Sequence, residues 1–261
     1  MLGNFLFKPH PNGQANEYSG FFSTWQDALK QTKGYNDQHI FEKVKKAALA
    51  VKSGKALFER DSVLFYKPVY NWPLLAILLR ISYQYSGKLN LIDFGGSLGS
   101  TYFQHKDFLS SLSEIKWNII EQEHFVKFGK KHIASKELRF FYNLTECFKS
   151  ERPNVFLASS VIGYIENPFK LISAIMKQKI EHIIIDRTTF IDSANHEILI
   201  QKVSPIIYNS SYPMWAFNYK EFISLLRKEY KLEIDYESYL DTDYYVEGKR
   251  LYWRGLYFTK R

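Results

Sequence analysis

The sequence predicts an α/β protein: a doubly wound sheet of seven strands, parallel except for a C-terminal antiparallel hairpin, preceded by an N-terminal helical cap. Three observations predict it. From Leu89 onward, short continuous apolar runs alternate with segments of helical period, the pattern of parallel strands covered on both faces. The first of these runs breaks into Gly95-Gly96-Ser97-Leu98-Gly99, three glycines in five residues directly behind a buried strand. The 261 residues, 46% hydrophobic and 17% aromatic, suffice for one large α/β domain or a domain with an appended subdomain, and are too apolar for disorder.

Residues 1–88 read as a tail and helical cap, and 89–261 as the main domain. Residues 1–17 form a loose tail. STWQDALKQTK, from Ser23, has a capping residue followed by Trp25, Ala28 and Leu29 on one helical face. Further helices cover 37–52 and 71–85, the latter with Pro73 in its first turn. Between them KALFERDSVLFYKPVY (55–70) is aromatic and charged together. In the main domain LNLIDF (89–94), KWNIIEQ (116–122), LRFFY (138–142), NVFLASS (154–160) and EHIIIDR (181–187) read as strands. Helices over 98–112, 123–135 and 168–179, with a short one before 154, separate them. Successive βα units argue for a parallel sheet. The alternation stops at 188–217, which is long, aromatic and irregular, the mark of a functional lid. A helix over 218–229 follows. KLEIDYESYL (231–240) and RLYWRGLYFTK (250–260), joined by a loop containing Gly248, then close the sheet as an antiparallel hairpin.

The formal charge of +8 admits nucleic acid, anionic lipid or an anionic substrate as partners, but Lys and Arg are scattered. Their one cluster, FEKVKKAALAVKSGK (41–55), has Phe41, Val44, Ala48 and Val51 at helical spacing and reads as a solvated helix face. A single cysteine, Cys147, excludes an intrachain disulfide and leaves no thiolate zinc cluster, so no metal is expected and Cys147 reads as a small apolar residue. MLGNFLFKPHPNG lacks the apolar stretch of a signal peptide, and WPLLAILL (72–79) is too short to span a bilayer. The expectation is a soluble cytoplasmic protein.

In an open α/β sheet the ligand lies outside the carboxyl ends of the strands, beside the first of them. Gly95 allows a tight turn, Gly96 and Ser97 let a ligand approach the backbone, and Gly99 lets the next helix pack on the strand. The spacing Asp93-x-Gly95-x-Ser97-x-Gly99 is not the dinucleotide fingerprint, and a structural turn is its alternative reading. Glu121 ends the second strand, followed by Gln122, where a carboxylate accepts hydrogen bonds from both ribose hydroxyls or else caps the next helix. SSVIGYIENP (159–168) sets Ser159, Ser160 and Tyr164 beside the same pocket.

LIDFGGSLGS, the acid in IIEQ, SSVIGYIENP and the closing strand pair make the chain resemble a Rossmann-like class I S-adenosylmethionine-dependent methyltransferase. More narrowly, it resembles the methyltransferase family encoded in bacterial surface-polysaccharide (O-antigen and capsule) gene clusters. The segments that match are YSGFFSTWQDAL, GYNDQHI, FERDSVLFYKPVYNWPLLA, FGGSLGSTYFQ, WNIIEQEHFV, ASSVIGYIENP, IIIDRT and SSYPMWAF, in order over about residues 18–220. Ser97 stands where the wider class has a third glycine, and Tyr142-Asn143 where it often has an acid near the adenine. The resemblance implies S-adenosyl-L-methionine as cofactor, held by Asp93, Gly95, Gly96, Ser97, Gly99, Glu121, Gln122, Ser159, Ser160 and Tyr164. Its methyl group is transferred by in-line displacement, which demands alignment and exclusion of water. Tyr164 and Tyr102 are candidates for cation–π contact with the sulfonium, or are packing aromatics.

Ser159-Ser160-Val161-Ile162 stands where base-methylating enzymes carry an Asn/Asp-Pro-Pro-aromatic tetrad, which argues against a nucleic-acid acceptor. A hydroxyl acceptor needs a general base, and His196, in the lid, is the best located of the seven histidines. Asp186 is expected to orient or deprotonate the acceptor and Arg187 to grip an anionic group, unless the two form an ion pair that fixes the lid. Arg60 and Tyr102 are further substrate candidates, and Tyr208, Tyr212 and Trp215 form an aromatic floor for a sugar or pack the lid. The reading is an O-methyltransferase acting on a hydroxyl or phosphoryl-type oxygen of a sugar or sugar nucleotide in surface-glycan biosynthesis. Its partner is a small-molecule or glycan-precursor substrate, with no nucleic acid and no membrane span. The alternatives are a non-catalytic S-adenosylmethionine-binding scaffold and a nucleic-acid methyltransferase.

Overall fold

The computed structural model of the protein describes residues 16–32, 38–205, 207, 210–238 and 243–261. The chain opens with β1 (Glu17–Phe22), α1 (Trp25–Lys30), α2 (Gln38–Lys52), the hairpin strands β2 (Phe58–Arg60) and β3 (Val63–Phe65), and α3 (Trp72–Gln84). It continues through β4 (Lys88–Phe94), α4 (Ser100–Leu109), β5 (Glu114–Ile120), α5 (Glu123–Phe128), β6 (Leu138–Phe141), α6 (Leu144–Ser150), β7 (Val155–Ser159), α7 (Pro168–Lys177) and β8 (His182–Ile191). It ends with β9 (Glu197–Lys202), β10 (Ser211–Ala216), α8 (Tyr219–Arg227), β11 (Tyr230–Glu237), β12 (Tyr244–Val246) and β13 (Lys249–Lys260).

The fold class is the expected one. The central sheet has the order β6-β5-β4-β7-β8-β13-β11, with β12 beside β13. Strands β4 to β8 pair in parallel, and β13 enters antiparallel between β8 and β11. The chain winds outward from β4 to β6 and then returns to β7 on the other side of β4, so the winding reverses between β4 and β7. The apolar runs are buried on both faces because both faces are covered. Val44, Leu78, Leu109 and Phe125 bring α2 to α5 onto one core cluster, and Cys147, Ile175 and Phe222 bring α6 to α8 onto the other. Cys147 is therefore the small apolar residue that the sequence suggests. Caps set the helix starts: Asn71, Asn143 and Asn218 each accept a backbone N–H of the first turn of α3, α6 and α8. Among the described residues no helix is long and apolar enough to cross a membrane.

Three local expectations are corrected. The N-terminal part is not wholly helical, since β1 and the β2–β3 hairpin are extended. The lid segment is not irregular: β8 runs on to Ile191, and β9 and β10 form a three-stranded antiparallel sheet with β1 in the order β1-β9-β10. Pro213 within β10 and Gly20 within β1 conceal these strands in the sequence, because both residues are depleted from regular ladders. Finally, β8 is not a plain strand. Its pairing with β13 jumps from Ile185↔Leu256 to Thr188↔Arg254, so Asp186 and Arg187 oppose Gly255 alone in a β-bulge, with Arg187 at φ +50°.

Gly255 has a second role, since a Cβ there would overlap the Tyr236 ring, whose hydroxyl donates to Asp186 (2.7 Å). Gly255→Ala is expected to push Tyr236 off that carboxylate and cost roughly 2–4 kcal/mol, the sum of an overpacked site and a lost buried hydrogen bond. Chemical denaturation of the variant checks this, and wild-type stability would show that the ring has room to move.

Candidate active site

A cavity of about 640 Å³ opens at the carboxyl ends of the parallel strands, and a second chamber of about 110 Å³ lies against the glycine loop. Asp61, Gly95, Ser160 and Arg187 line both, so the two chambers meet at the switch between β4 and β7.

The loop after β4 forms the floor. Gly95 turns at φ +70° with its N–H on the Ile120 carbonyl (2.9 Å), and a Cβ there would overlap Val161. At Gly96 a Cβ would stand 2.5 Å from the Asp93 carboxyl, so the glycine leaves that acid room beneath the loop. Ser97 turns at φ +53° and lines the smaller chamber. Gly99, at φ +101°, caps α4 and lies against Leu138 of β6; it lines neither chamber and serves packing. Asp93 is buried and accepts from Trp117 Nε1 (2.8 Å). Burial pushes its carboxyl up to about 7, the Trp117 hydrogen bond opposes this, and the charges of Glu121 and Asp186 add to it.

Glu121 stands at the end of β5 on the wall of the large cavity, next to Gln122, whose N–H donates to its Oε2 (2.6 Å). Burial also raises its carboxyl to about 7. Tyr142 and Asn143, after β6, line the same end. Ser159 Oγ donates to Asp186 (2.6 Å), and Ser160, at φ +56°, lines both chambers.

The segment FERDSV supplies residues whose roles the sequence does not define. Arg60 pairs with Val63, so Asp61 and Ser62 are a two-residue hairpin loop, both at positive φ (+50° and +65°) as a type I′ turn requires. The turn carries Asp61, exposed, to the junction of the chambers. Glu59 is buried under it, accepting from Ser62 N–H (3.0 Å) and Ser100 Oγ. Burial raises Glu59 to about 7, and the charge of Asp61 adds to the shift. Arg60 lines the smaller chamber and donates to Gln104 Oε1 (2.7 Å).

The far wall of the large cavity comes from the β1-β9-β10 sheet. Tyr18 and Tyr212 are both register partners of Gln201, so the three form one cross-strand row, and all line the cavity. Tyr164 donates to Gln201 Oε1 (2.6 Å) and meets Tyr212 edge-on at 5.3 Å. Trp253 of β13 lines the cavity beside Tyr18, 5.5 Å between ring centroids. Tyr18, Gln201 and Trp253 are not singled out by the sequence pattern, and Asp61 stands out there only as part of the charged cluster Glu59-Arg60-Asp61. One signal was present: Gln201 falls two residues after Leu199, on the buried side of an alternating strand, an unusual place for an amide.

Several expected residues are elsewhere. His196 does not line the cavity: its Nδ1 accepts from Asn218 N–H (2.9 Å), its Nε2 faces Glu221 at 3.4 Å, and Phe169 and Phe217 pack on its ring. It anchors the start of α8. Trp215 stacks between Trp25 and Phe217, away from both chambers. Tyr102 is buried against Trp117 with its hydroxyl on Glu137, outside both chambers. Tyr208 lies outside the described residues. Asp186 borders the smaller chamber fully buried, accepting from Asn71 Nδ2 (3.1 and 3.2 Å), Ser159 and Tyr236, which leaves it as an organiser of its neighbours. The bulge aims Arg187 into the junction of the chambers.

No family model and no curated protein matches the chain. Solved structures with a similar course include the N-terminal domain of EvdMO1, crystallised with SAH and D-fucose (TM-score 0.49, 9% identity, 87% of this chain and 100% of that one). Another is an S-adenosylmethionine-dependent methyltransferase from Clostridium acetobutylicum (TM-score 0.47, 8% identity, 74% and 92%). A third is CalS10, an amino pentose methyltransferase from Micromonospora echinaspora (TM-score 0.44, 9% identity, 74% and 92%).

The three raised carboxyls set a pH dependence. Glu59, Asp93 and Glu121 hold protons in the folded chain up to about 7, whereas their ordinary values are 4.5, 3.8 and 4.5. The folded state therefore binds more protons than the unfolded state from about pH 4 to 7, and stability falls as pH rises through that window. Thermal melts without ligand are expected to show this decline, and Glu59→Gln to flatten it. An identical slope in the variant would show that Glu59 is ionised throughout.

Proposed function

We propose that this protein is an S-adenosylmethionine-dependent O-methyltransferase whose acceptor is a hydroxyl or phosphoryl-type oxygen of a sugar or sugar nucleotide. We place it in surface-glycan synthesis on the strength of the sequence resemblance. The observation that carries the reading is the meeting of two unlike chambers at the β4–β7 switch: a glycine-floored acidic one, and a larger one walled by Tyr18, Gln201 and Tyr212.

The residues fit the cofactor. Gly95 and Gly96 line the chambers with bare backbone, and the acids beside them suit a ligand bearing an ammonium and a sulfonium. Asp93 and Ser97 would hold the amino-acid end, Glu121 the ribose hydroxyls, and Tyr142 and Asn143 the base. When bound, the cofactor supplies an electrophilic methyl group on a sulfonium, which passes to the acceptor oxygen as the carbon–sulfur bond breaks. The protein's part is alignment and desolvation. Tyr164 presents a ring to the large cavity, and Gln201 Nε2, which has no partner among the described residues, is available to a substrate oxygen. Asp61 takes the acceptor's proton, in place of the distant His196, because it is the exposed carboxylate common to both chambers.

Calorimetric titration with S-adenosylmethionine and with its demethylated product is expected to give micromolar binding of both. Glu121→Ala should weaken that binding by about 1–3 kcal/mol, the loss of a hydrogen-bonded charged partner. Failure of the folded protein to bind either compound would end this reading. Asp61→Asn is expected to leave cofactor binding intact and lower turnover on sugar-nucleotide acceptors roughly a hundredfold. Unchanged turnover would remove Asp61 as the base.

A further inference from the structure

We propose that the outer face of α2 and of the β2–β3 hairpin docks this protein on an anionic lipid surface. The claim stands apart from the methyl-transfer reading, because it concerns residues outside both chambers. On α2 the positions Val44, Ala47, Ala48 and Val51 are buried. That leaves Lys46, Leu49 and Lys52 at three-residue spacing on the opposite side, all exposed, with Leu49 at 42%. Lys55 is exposed just beyond the helix, and Leu57 next to it is 47% exposed. Leu57 N–H donates to the Phe65 carbonyl (2.8 Å) at the open end of the hairpin, and Tyr66, the next residue, is 68% exposed.

Charge complementarity names the partner's sign. Between Ile40 and Lys55 the chain carries five lysines against the single acid Glu42, a net +4 and half of the protein's +8. The flank continues onto the end of α5 and the residues after it, since Lys52 Nζ donates to the His132 carbonyl (2.5 Å) and Lys45 lies 5.3 Å from the Phe128 ring, with Lys131 exposed. A solvated helix face accounts for the lysines but not for the apolar residues set among them. A nucleic acid would neutralise the lysines and leave both leucines in water. A lipid surface satisfies both: leucine and tyrosine side chains enter the boundary between headgroups and acyl chains, while lysine stems lie along it and place their ammonium groups on phosphates. The docked face adjoins the large cavity, because Lys43 Nζ donates to the carbonyl of Ile207, which lines it (2.7 Å).

The test is co-sedimentation of the full chain with vesicles of phosphatidylcholine alone and of phosphatidylcholine carrying roughly a third phosphatidylglycerol. Binding to the anionic vesicles only is expected, falling as salt is raised. Lys52→Glu with Lys55→Glu should lower the partition coefficient by about tenfold or more. Leu49→Ser with Leu57→Ser should lower it by a similar factor. Every altered side chain is exposed, so circular dichroism and cofactor titration should match the wild type, which separates a failed docking face from a failed methyltransferase. Absence of vesicle binding, equal binding to neutral vesicles, or full binding by either folded double variant overturns the proposal. So does a uridine oligonucleotide that binds wild type and leucine variant equally and displaces the protein from vesicles, which would assign the face to nucleic acid.

Discussion

The Asp186 carboxylate is the point on which three separate parts of the chain converge. Asn71 reaches it from the cap of α3, Ser159 from the end of β7, and Tyr236 from β11, across the bare backbone of Gly255. A carboxyl group buried in this way is tolerable only when its oxygens are hydrogen-bonded, so each donor is held in place by the cost of leaving. The same residue lies in the bulge of β8, and the bulge turns Arg187 away from the sheet and into the junction of the chambers. Asn71 also accepts from Leu74 N–H and donates its own N–H to His105 Nε2, so the start of α3 and the face of α4 are positioned by the same small network. Burial holds His105 down at about 4, which keeps its ring neutral and able to accept there.

Around that fixed point the two chambers differ in chemistry. The smaller one holds Glu59, Asp93 and Asp186 with Arg60 and Arg187 as its cations. The raised carboxyls there are stable when protonated and become stronger acids if a cationic group enters. The larger chamber is walled by rings and one amide, a surface suited to a flat or ring-shaped polar ligand. The type I′ turn at Asp61-Ser62 joins the two. Asp61 suits the first position of such a turn, but Ser62 is not the glycine its second position favours, and that backbone cost is offset by the Ser62 N–H bonded to buried Glu59.

Much of this was legible in the order of residues, and the reasons are local. Parallel strands buried on both faces are mostly apolar, so β4, β5, β7 and β8 appear as short runs rich in apolar residues, and the glycines after β4 mark a loop that backbone and acid must share. Gly95, Gly96, Ser97, Asp93, Glu121, Gln122, Ser159, Ser160 and Tyr164 could be nominated because they sit at strand ends, where fold class alone dictates position. The strands that break their own pattern escaped: Pro213 pairs within β10, and Gly20 lies in β1 at an irregular register.

The sequence by itself thus determined the sheet, its winding, and which loop lies at the switch, because burial and backbone conformation are properties of neighbours a few residues apart. Only the tertiary structure decided which side chains share the cavity. The row Tyr18–Gln201–Tyr212 unites residues from three strands whose register is set by long-range pairing, and a slip of one residue in any of them would have turned its member of the row away. The same holds for His196, in the lid segment yet bound to the start of α8, and for Asp61, remote in sequence yet carried by a hairpin to the chamber junction. Distance along the chain gives no sign of such meetings, since they are fixed by the packing of elements that order later contacts.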